Sequence, residues 1–338
     1  MRVRSKATPE QRAALRAQLA RLQQPAALLE ILQSSLPAGF EPTEVRCIVP
    51  SVHPNRFVLR AGLRSNHGEE HAYALKVYCD DFGRRVWEHS QLLAKHHRPN
   101  HSGLCLASRY VPHERMLVFP WVDGPFLSEI VDDRKPELLR EAARLAAELH
   151  RLPVVPEHLT TAQMFVDETL LQCDHLRSTC PEAAALVEPL TAALQQAATG
   201  LDPAAPALVH GDMAPGQFLW TGHGLVLLDL DMFGYADPAC DVGHFLGQME
   251  RRSVVDPTVR ALTPEWLVCF RDAYLATMPH VSQRNVSFYR GLTLVRKIST
   301  TCRREPVNWP ALVPQLADRA RAAFEQAQSD EIASSRLR

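Results

Sequence analysis

The chain has no surplus of charge: its 338 residues carry 37 basic and 38 acidic side chains, a formal net charge of −1. Without a dominant sign, neither nucleic acid nor an anionic membrane surface is expected as a partner, and a small molecule is. Long apolar runs are missing too. The basic start MRVRSK leads into TPEQRAALRAQLARL, which is amphipathic, and no stretch reaches the length of a bilayer span. No signal peptide and no membrane segment are therefore expected. The eight cysteines (47, 79, 105, 173, 180, 240, 269 and 302) include no C-x-x-C pair. Scattered thiols of this kind suit a reducing compartment, so the expectation is a cytoplasmic enzyme with free cysteines, acting as a monomer or homodimer. The three histidines of KHHRPNH (His96, His97, His101) lack a cysteine or carboxylate partner within their Pro-Asn loop, which reads as solvated rather than metal-binding.

What the sequence does contain is patterned. Thr8-Pro9-Glu10-Gln11 is a helix start, with Thr as N-cap, Pro at the first helical position and Gln in the capping box. Helical periodicity then runs to about Gln33 and breaks at Pro37. From Val45 the period changes. CIVPSVHPNRFVLRAGL and HAYALKVYC alternate apolar and polar residues as half-buried antiparallel strands do. FGRRVWEHSQLLAKHH reads as one helix, MLVFPWVDG as a further strand, and LSEIV and PELLREAARLAAELHRL as helices. Positions 208–235 form an island of strands, and PEWLVCFRDAYLATM and PQLADRARAAFEQAQ are helical beyond it. The pattern gives a helical extension over 1–39, a strand-rich lobe over 40–121 and a larger helical lobe over 122–330.

The chemistry concentrates in LVHGDMAPGQFLW and the LVLLDLDMFGYADPACD that follows. If TGHG is a tight turn, Phe218-Leu-Trp pairs with Leu225–Leu228, and Gln217 and Asp229 come to the same end of one hairpin. Asp212 sits on the loop just before it. Three oxygen-bearing side chains converge, and no Lys or Arg occurs from Pro206 through Met249 to neutralise them. Such a pocket is costly unless a cation fills it, and oxygen donors suit Mg²⁺. Because Mg²⁺ usually bridges carboxylates and substrate phosphates, a cationic phosphate contact is also expected. Lys76 in YALKVY offers one, and Glu88, twelve residues on, falls mid-helix where it could pair with Lys76 and orient it. A strand Lys, a helix Glu, a loop Asp, an amide and a metal Asp are the parts of kinase phosphoryl transfer.

On these residues the chain resembles the aminoglycoside phosphotransferase and choline kinase-like family. HGDMAPGQ resembles that family's HGDxxxxN loop, and LLDLDMFGYADPACDVG its IDxxxxxxxDxxxDxA segment. MLVFPWVDGPFL resembles the lobe-connecting strand and hinge, and AARLAAELHRL the helix ahead of the catalytic loop; the likeness covers roughly 45–250. The resemblance implies an α+β, protein-kinase-like bilobal fold, with a small antiparallel-sheet N-lobe and a larger, mostly helical C-lobe. It implies Asp212 as catalytic base, Gln217 and Asp229 as Mg²⁺ ligands supported by Asp231, and Asp241 as the brace of the catalytic loop. Gln217 stands where the family most often has Asn; kinases of the maltokinase type carry Gln there, and its amide oxygen is equivalent but one methylene further out. Lys76 would contact the nucleotide phosphates, and Phe119 and Trp121 on the hinge strand would lie beside the nucleotide. That nucleotide is ATP, with GTP as the alternative.

A Gly-x-Gly-x-x-Gly loop is missing; PSVHPNRF stands in its place. Either the backbone N–H groups from Ser51 to Asn55 cover the phosphates, or the segment is a plain turn. His210 reads as a buried structural histidine, Asp237 as a turn former, and the basic run RGLTLVRKISTTCRRE as a solvated helix face rather than an anionic-substrate site. The expected function is an ATP- and Mg²⁺-dependent kinase transferring the γ-phosphoryl group to a hydroxyl of a sugar, aminoglycoside, amino alcohol or related metabolite. The alternatives are a catalytically weak nucleotide-binding regulator on the same fold, and nucleotidyl transfer.

Overall fold

Thr8 caps the first helix as its sequence predicts. Its hydroxyl accepts the Gln11 N–H at 3.2 Å, and the Gln11 side chain accepts the Thr8 N–H at 2.8 Å. The computed structural model describes residues 7–96, 103–305 and 307–335, with side chains to residue 329. His97 and His101 lie outside the described residues, and His96 is exposed. The periodic stretch to Gln33 is two helices, α1 (Pro9–Leu22) and α2 (Pro25–Leu32). Gln24 is extended and Pro25 opens the second, because proline cannot donate the hydrogen bond that would continue the first.

The chain divides into two units at Asp123/Gly124. In the first, β1 (Pro42–His53), β2 (Arg56–Ser65), β3 (Glu70–Tyr78), β4 (Arg109–Val111) and β5 (Met116–Pro120) form an antiparallel sheet of order β1-β2-β3-β5-β4. Strand alternation sends Phe57, Leu59, Leu75, Val77, Met116 and Val118 to one face, where they share a core with Leu22, Leu28 and Leu32. The N-terminal helices are thus an integral layer of this unit, and truncating Leu32 to alanine would cost about 2–5 kcal/mol. The other face carries Tyr78 and Leu117, packed with Val86 of α3 (Phe82–Ala94). Lys76 pairs in register with Leu117 and shares that face.

Among its described residues the second unit holds seven helices: α4 (Lys135–His150), α5 (Ala162–Thr179), α6 (Pro181–Thr199), α7 (Ala239–Val255), α8 (Thr263–Thr277), α9 (Gln283–Arg304) and α10 (Trp309–Ser335). The expected helix at LSEIV is a turn instead. Its backbone is engaged elsewhere: the Leu127 N–H donates to the Phe218 carbonyl at 2.7 Å, and Phe126 bridges to Leu219. Among the helices lie two small sheets. One has the order β6 (Leu159–Thr160), β10 (Gly234–Ala236), β7 (Ala207–Val209); the other is the hairpin of β8 (Phe218–Trp220) and β9 (Leu225–Leu227). The register Phe218↔Leu227 and Trp220↔Leu225 is the expected one, closed by a turn in which the Thr221 N–H donates to the Gly224 carbonyl. Among the described residues no helix is long and apolar enough to cross a membrane, and all eight cysteines are free.

Candidate active site

β7 and β10 pair antiparallel, Val209 opposite Gly234. Residues 210–217 therefore leave one strand of this pair for the hairpin, and 228–233 return from the hairpin to the other. Both loops are held at each end by sheet. Gly211 turns the first loop with φ +80°, and a Cβ there would lie 2.3 Å from the Met232 carbonyl oxygen, so only glycine fits the HGD motif at this point.

Asp241, near the start of α7 and fully buried, braces the loop. Its Oδ2 accepts the His210 N–H at 2.6 Å and its Oδ1 accepts the Gly211 N–H at 2.9 Å. A third donor is His150 Nε2 at 3.2 Å, whose Nδ1 in turn accepts the Tyr274 hydroxyl at 2.6 Å. Burial alone would raise the Asp241 carboxyl. The hydrogen bonds from His150 and from the His210 N–H overrule it and hold the group below its ordinary value. His210 is structural, as expected. Its Nδ1 accepts the Asp212 N–H, and its Nε2 donates to the Leu228 carbonyl at 2.8 Å, tying the two loops together. Asp237 is also structural: its carboxylate accepts the Ala239 N–H and the Asn285 amide.

Asp212 is half-exposed, with 48% of its side chain accessible, and it lines a cavity bounded by α7 and α9. His244 Nε2 lies 3.2 Å from its Oδ1, and His244 Nδ1 lies 3.2 Å from the Thr293 hydroxyl. A carboxylate only accepts, so Nε2 carries the proton and Nδ1 accepts from Thr293. Burial lowers the His244 pKa, which leaves a neutral ring near pH 7. Burial of part of the group would raise Asp212; the His244 hydrogen bond and the nearby Lys297 charge outweigh that and hold it below its ordinary value. With His244 neutral, the standing positive charge beside Asp212 is Lys297.

The hairpin sets the remaining candidates. The Leu228 N–H donates to the Gln217 carbonyl at 2.8 Å, which places Gln217 and Asp229 at the same end. Asp229 has left-handed backbone (φ 60°, ψ 56°), a region that costs a residue with a Cβ about 1–2 kcal/mol. An outlier of this kind marks a position where the side chain's aim matters more than local comfort. Asp231 is buried two residues on. No three His, Cys, Asp or Glu side chains among the described residues form a metal-binding group. The candidate set is smaller, two carboxylates and an amide.

In the first unit Lys76 is buried on β3, with its ammonium 5.7 Å from the centre of the Tyr78 ring. Among the described residues Glu88 is paired elsewhere than the expected Lys76. The Glu88 carboxylate accepts from Arg84 one turn earlier, at 3.2 Å, on the exposed side of α3. The buried positions of that helix are Gly83, Val86, Ser90 and Leu93, and Glu88 falls opposite them. Ser51 lies on β1 beside a bulge, and PSVHPNRF forms the end of the β1–β2 hairpin, turning at Pro54-Asn55. Phe119 packs on the Tyr78 side of the sheet. The Trp121 indole donates to Asp123 at 2.7 Å and lies under the Arg60 guanidinium.

The sequence profile of the phosphotransferase enzyme family APH matches residues 79–283, more than half of the chain. The chain belongs to this family. It is a phosphotransferase acting on hydroxyl groups of small molecules. Among solved structures it is similar to a choline/ethanolamine kinase family protein from Mesorhizobium loti, with 17% identity, 96% of this chain and 99% of the other covered, and a TM-score of 0.58. A choline kinase from Cryptosporidium parvum Iowa II aligns at 11% identity over 92% and 97% of the two chains, with a TM-score of 0.62. The GDP complex of aminoglycoside 2'-phosphotransferase-IIIa aligns at 16% over 89% and 99%, with a TM-score of 0.54. These likenesses show a shared protein-kinase-like fold. None of the curated proteins matches the sequence.

Three groups of this phosphotransferase were invisible to sequence reasoning: His150 under Asp241, His244 beside Asp212, and Lys297 opposite it. The basic run of α9 is not a solvated face. Arg296 pairs with Glu168 of α5 at 3.1 Å, Arg290 lies 3.7 Å from Glu250, and Lys297 lines the Asp212 cavity. A stripe at 289, 292, 293, 296 and 297 carries this information, since the last two positions continue an otherwise buried face.

Proposed function

We propose that this phosphotransferase is an ATP- and Mg²⁺-dependent kinase in which Asp212 accepts the proton of the acceptor hydroxyl. The observation that carries the reading is the placement of Asp212. It is a half-exposed carboxylate that lines a cavity and accepts from His244, on a loop pinned by Asp241 and His210. Held below its ordinary value, its carboxylate is ionised at neutral pH and able to accept. In the step, the hydroxyl oxygen forms the new bond to the γ-phosphorus while the bond to the bridging oxygen breaks. ADP leaves with that electron pair, and the hydroxyl proton passes to Asp212.

The donor set suits a divalent cation bound with nucleotide phosphates. Mg²⁺ takes one or two carboxylates and leaves its other positions to phosphate and water, which matches Asp229, Gln217 and a supporting Asp231. When bound, the ion neutralises charge developing on the phosphates. The left-handed backbone of Asp229 and the Leu228–Gln217 hydrogen bond, which bring the two residues to one end of the hairpin, support this reading. Lys76 is the proposed phosphate contact, with Ser51, Phe119 and Trp121 on the nucleotide side. Glu88 is withdrawn from that role by its pairing with Arg84. The test is ADP release by the purified chain with ATP and Mg²⁺ over a panel of hydroxyl compounds. Release that follows the presence of one acceptor class supports the reading; nucleotide bound but never turned over would favour the regulator.

A further inference from the structure

The acceptor side of the catalytic loop is lined by positive charge. α7 and α9 approach closely because Gly243 and Gly247 lack side chains: a Cβ on Gly243 would lie 2.6 Å from the Arg290 nitrogen, and one on Gly247 2.8 Å from Thr293. That contact brings His244 of α7 and Thr293, Arg296 and Lys297 of α9 around the cavity at Asp212. A second cavity lies against Ala214–Gly216 of the same loop and takes in Arg251, Arg252 and Arg304. Gln248, whose amide nitrogen lies 3.1 Å from His244 Nε2, lines this second cavity.

Some of these cations are accounted for. Arg296 is paired with Glu168 and Arg252 with Asp256 at 3.5 Å, while Asp241 is occupied by His150 and two N–H groups. Among the described residues Lys297 has no ion-pair partner within 4 Å, and the buried Nε of Arg251 has no hydrogen-bond partner. Burial, and after the attraction of Asp212 the repulsion of Arg296, Arg251 and Arg304, hold Lys297 down to about 8. Arg251 is lowered by burial and by Arg304, against the attraction of Glu305. Unpaired cations held together in a partly desolvated site are unfavourable unless an anion completes them.

We propose that the acceptor is an anionic hydroxyl compound, its carboxylate or phosphate group bound by Lys297 and Arg251 while its hydroxyl meets Asp212. The inference rests on the phosphoryl-transfer reading above and narrows it. An amino alcohol or aminoglycoside would bring further positive charge to a site already rich in it. A guanidinium and an ammonium that feel each other's charge from two cavities on the same loop instead suit the several oxygens of one acid group.

Binding to the full chain, measured by calorimetry with ADP and Mg²⁺ present throughout, tests this directly. Two matched series serve: glycerol, ethanolamine, glycerate and glycerol 3-phosphate; glucose, glucosamine, gluconate and glucose 6-phosphate. In at least one series the acidic members should bind about tenfold or more tightly than the neutral parent, with the amine weakest. The stronger of the two acids names the anion. Lys297→Gln and Arg251→Gln should each remove most of that advantage, and Lys297→Arg should retain it, a rescue that a purely structural role would not give. Equal binding of acidic, neutral and amino members in both series, or substitutions that weaken all members alike, would overturn the inference. Failure of the kinase reading looks different: charge-selective binding that Lys297→Gln abolishes, with no ADP release from any member.

Discussion

Replacing Asp241 with asparagine removes one acceptor oxygen from a fully buried group that receives three donors. In the native protein Oδ2 takes the His210 N–H and His150, and Oδ1 takes the Gly211 N–H. An amide keeps a single acceptor oxygen and turns an NH₂ toward whichever donor is left, so at least one buried N–H faces another. Leaving a buried donor unsatisfied costs about 1–3 kcal/mol, and losing a hydrogen bond to a charged group adds to it; about 2–4 kcal/mol is expected. For a unit of this size that corresponds to a fall in Tm of roughly 5–12 °C. The loop would also shift Asp212, and a displacement near 1 Å costs about 10² in rate. The assays are a thermal melt and steady-state kinetics, with His150→Gln as a milder companion because both main-chain bonds survive. If Asp241→Asn melts within about 1 °C of the native protein and keeps its kcat, the loop is not held as described.

Three further outcomes follow from the geometry. Asp229→Ala should lose Mg²⁺-dependent nucleotide binding and activity together, whereas Gln217→Asn should stay active; a Gln217→Asn protein as dead as Gln217→Ala would make side-chain length decisive. Lys76→Ala should raise the KM for ATP and lower kcat with little change in acceptor KM, while Glu88→Ala, which removes only an exposed pair with Arg84, should alter stability by less than about 0.5 kcal/mol and leave KM alone. A large Glu88 effect on KM would show that the pairing with Arg84 is not the working state. Lys135 is buried, donates to the Leu127 carbonyl and is held to about 7, first by burial and then by the Arg252 charge. Its unfolded pKa is about 10.4, so between these values the unfolded chain binds more protons and stability rises with pH. Denaturation across that window should show a steeper rise in the native protein than in Lys135→Met; identical slopes would contradict the assignment.

Features that depend on local chemistry were legible in the sequence. The capping box at Thr8, the hairpin register around TGHG and the HGD loop each involve residues that meet within a few positions of one another. Asp241 was legible as a brace through its resemblance to a known segment, although its donors were not. His150, His244 and Lys297 come from helices separated in sequence from the groups they touch, and no spacing rule links them. Glu88 was misplaced for a different reason. Its distance from Lys76 is suitable, but distance alone does not give the face of a helix, and the 83, 86, 90, 93 repeat puts it on the solvent side. The basic run of α9 misled similarly: counting charges gives no direction, and the Gly243 and Gly247 contacts that turn Arg296 and Lys297 inward arise only on folding. The break at Pro25 was available in the sequence and was outweighed by periodicity.

Transfer of the γ-phosphoryl group itself is the central claim, and the product's mass measures it most directly. The native protein and Asp212→Asn are incubated with Mg²⁺, ATP and an acceptor that stimulates ADP release, and the acceptor is weighed before and after. The native protein should yield an acceptor enlarged by one phosphoryl group, and the Asp212→Asn protein about 10²–10⁴ less of it per unit time, with nucleotide affinity within a few-fold. An acceptor enlarged by a nucleotide, or an Asp212→Asn protein that turns over at the native rate, would contradict the account.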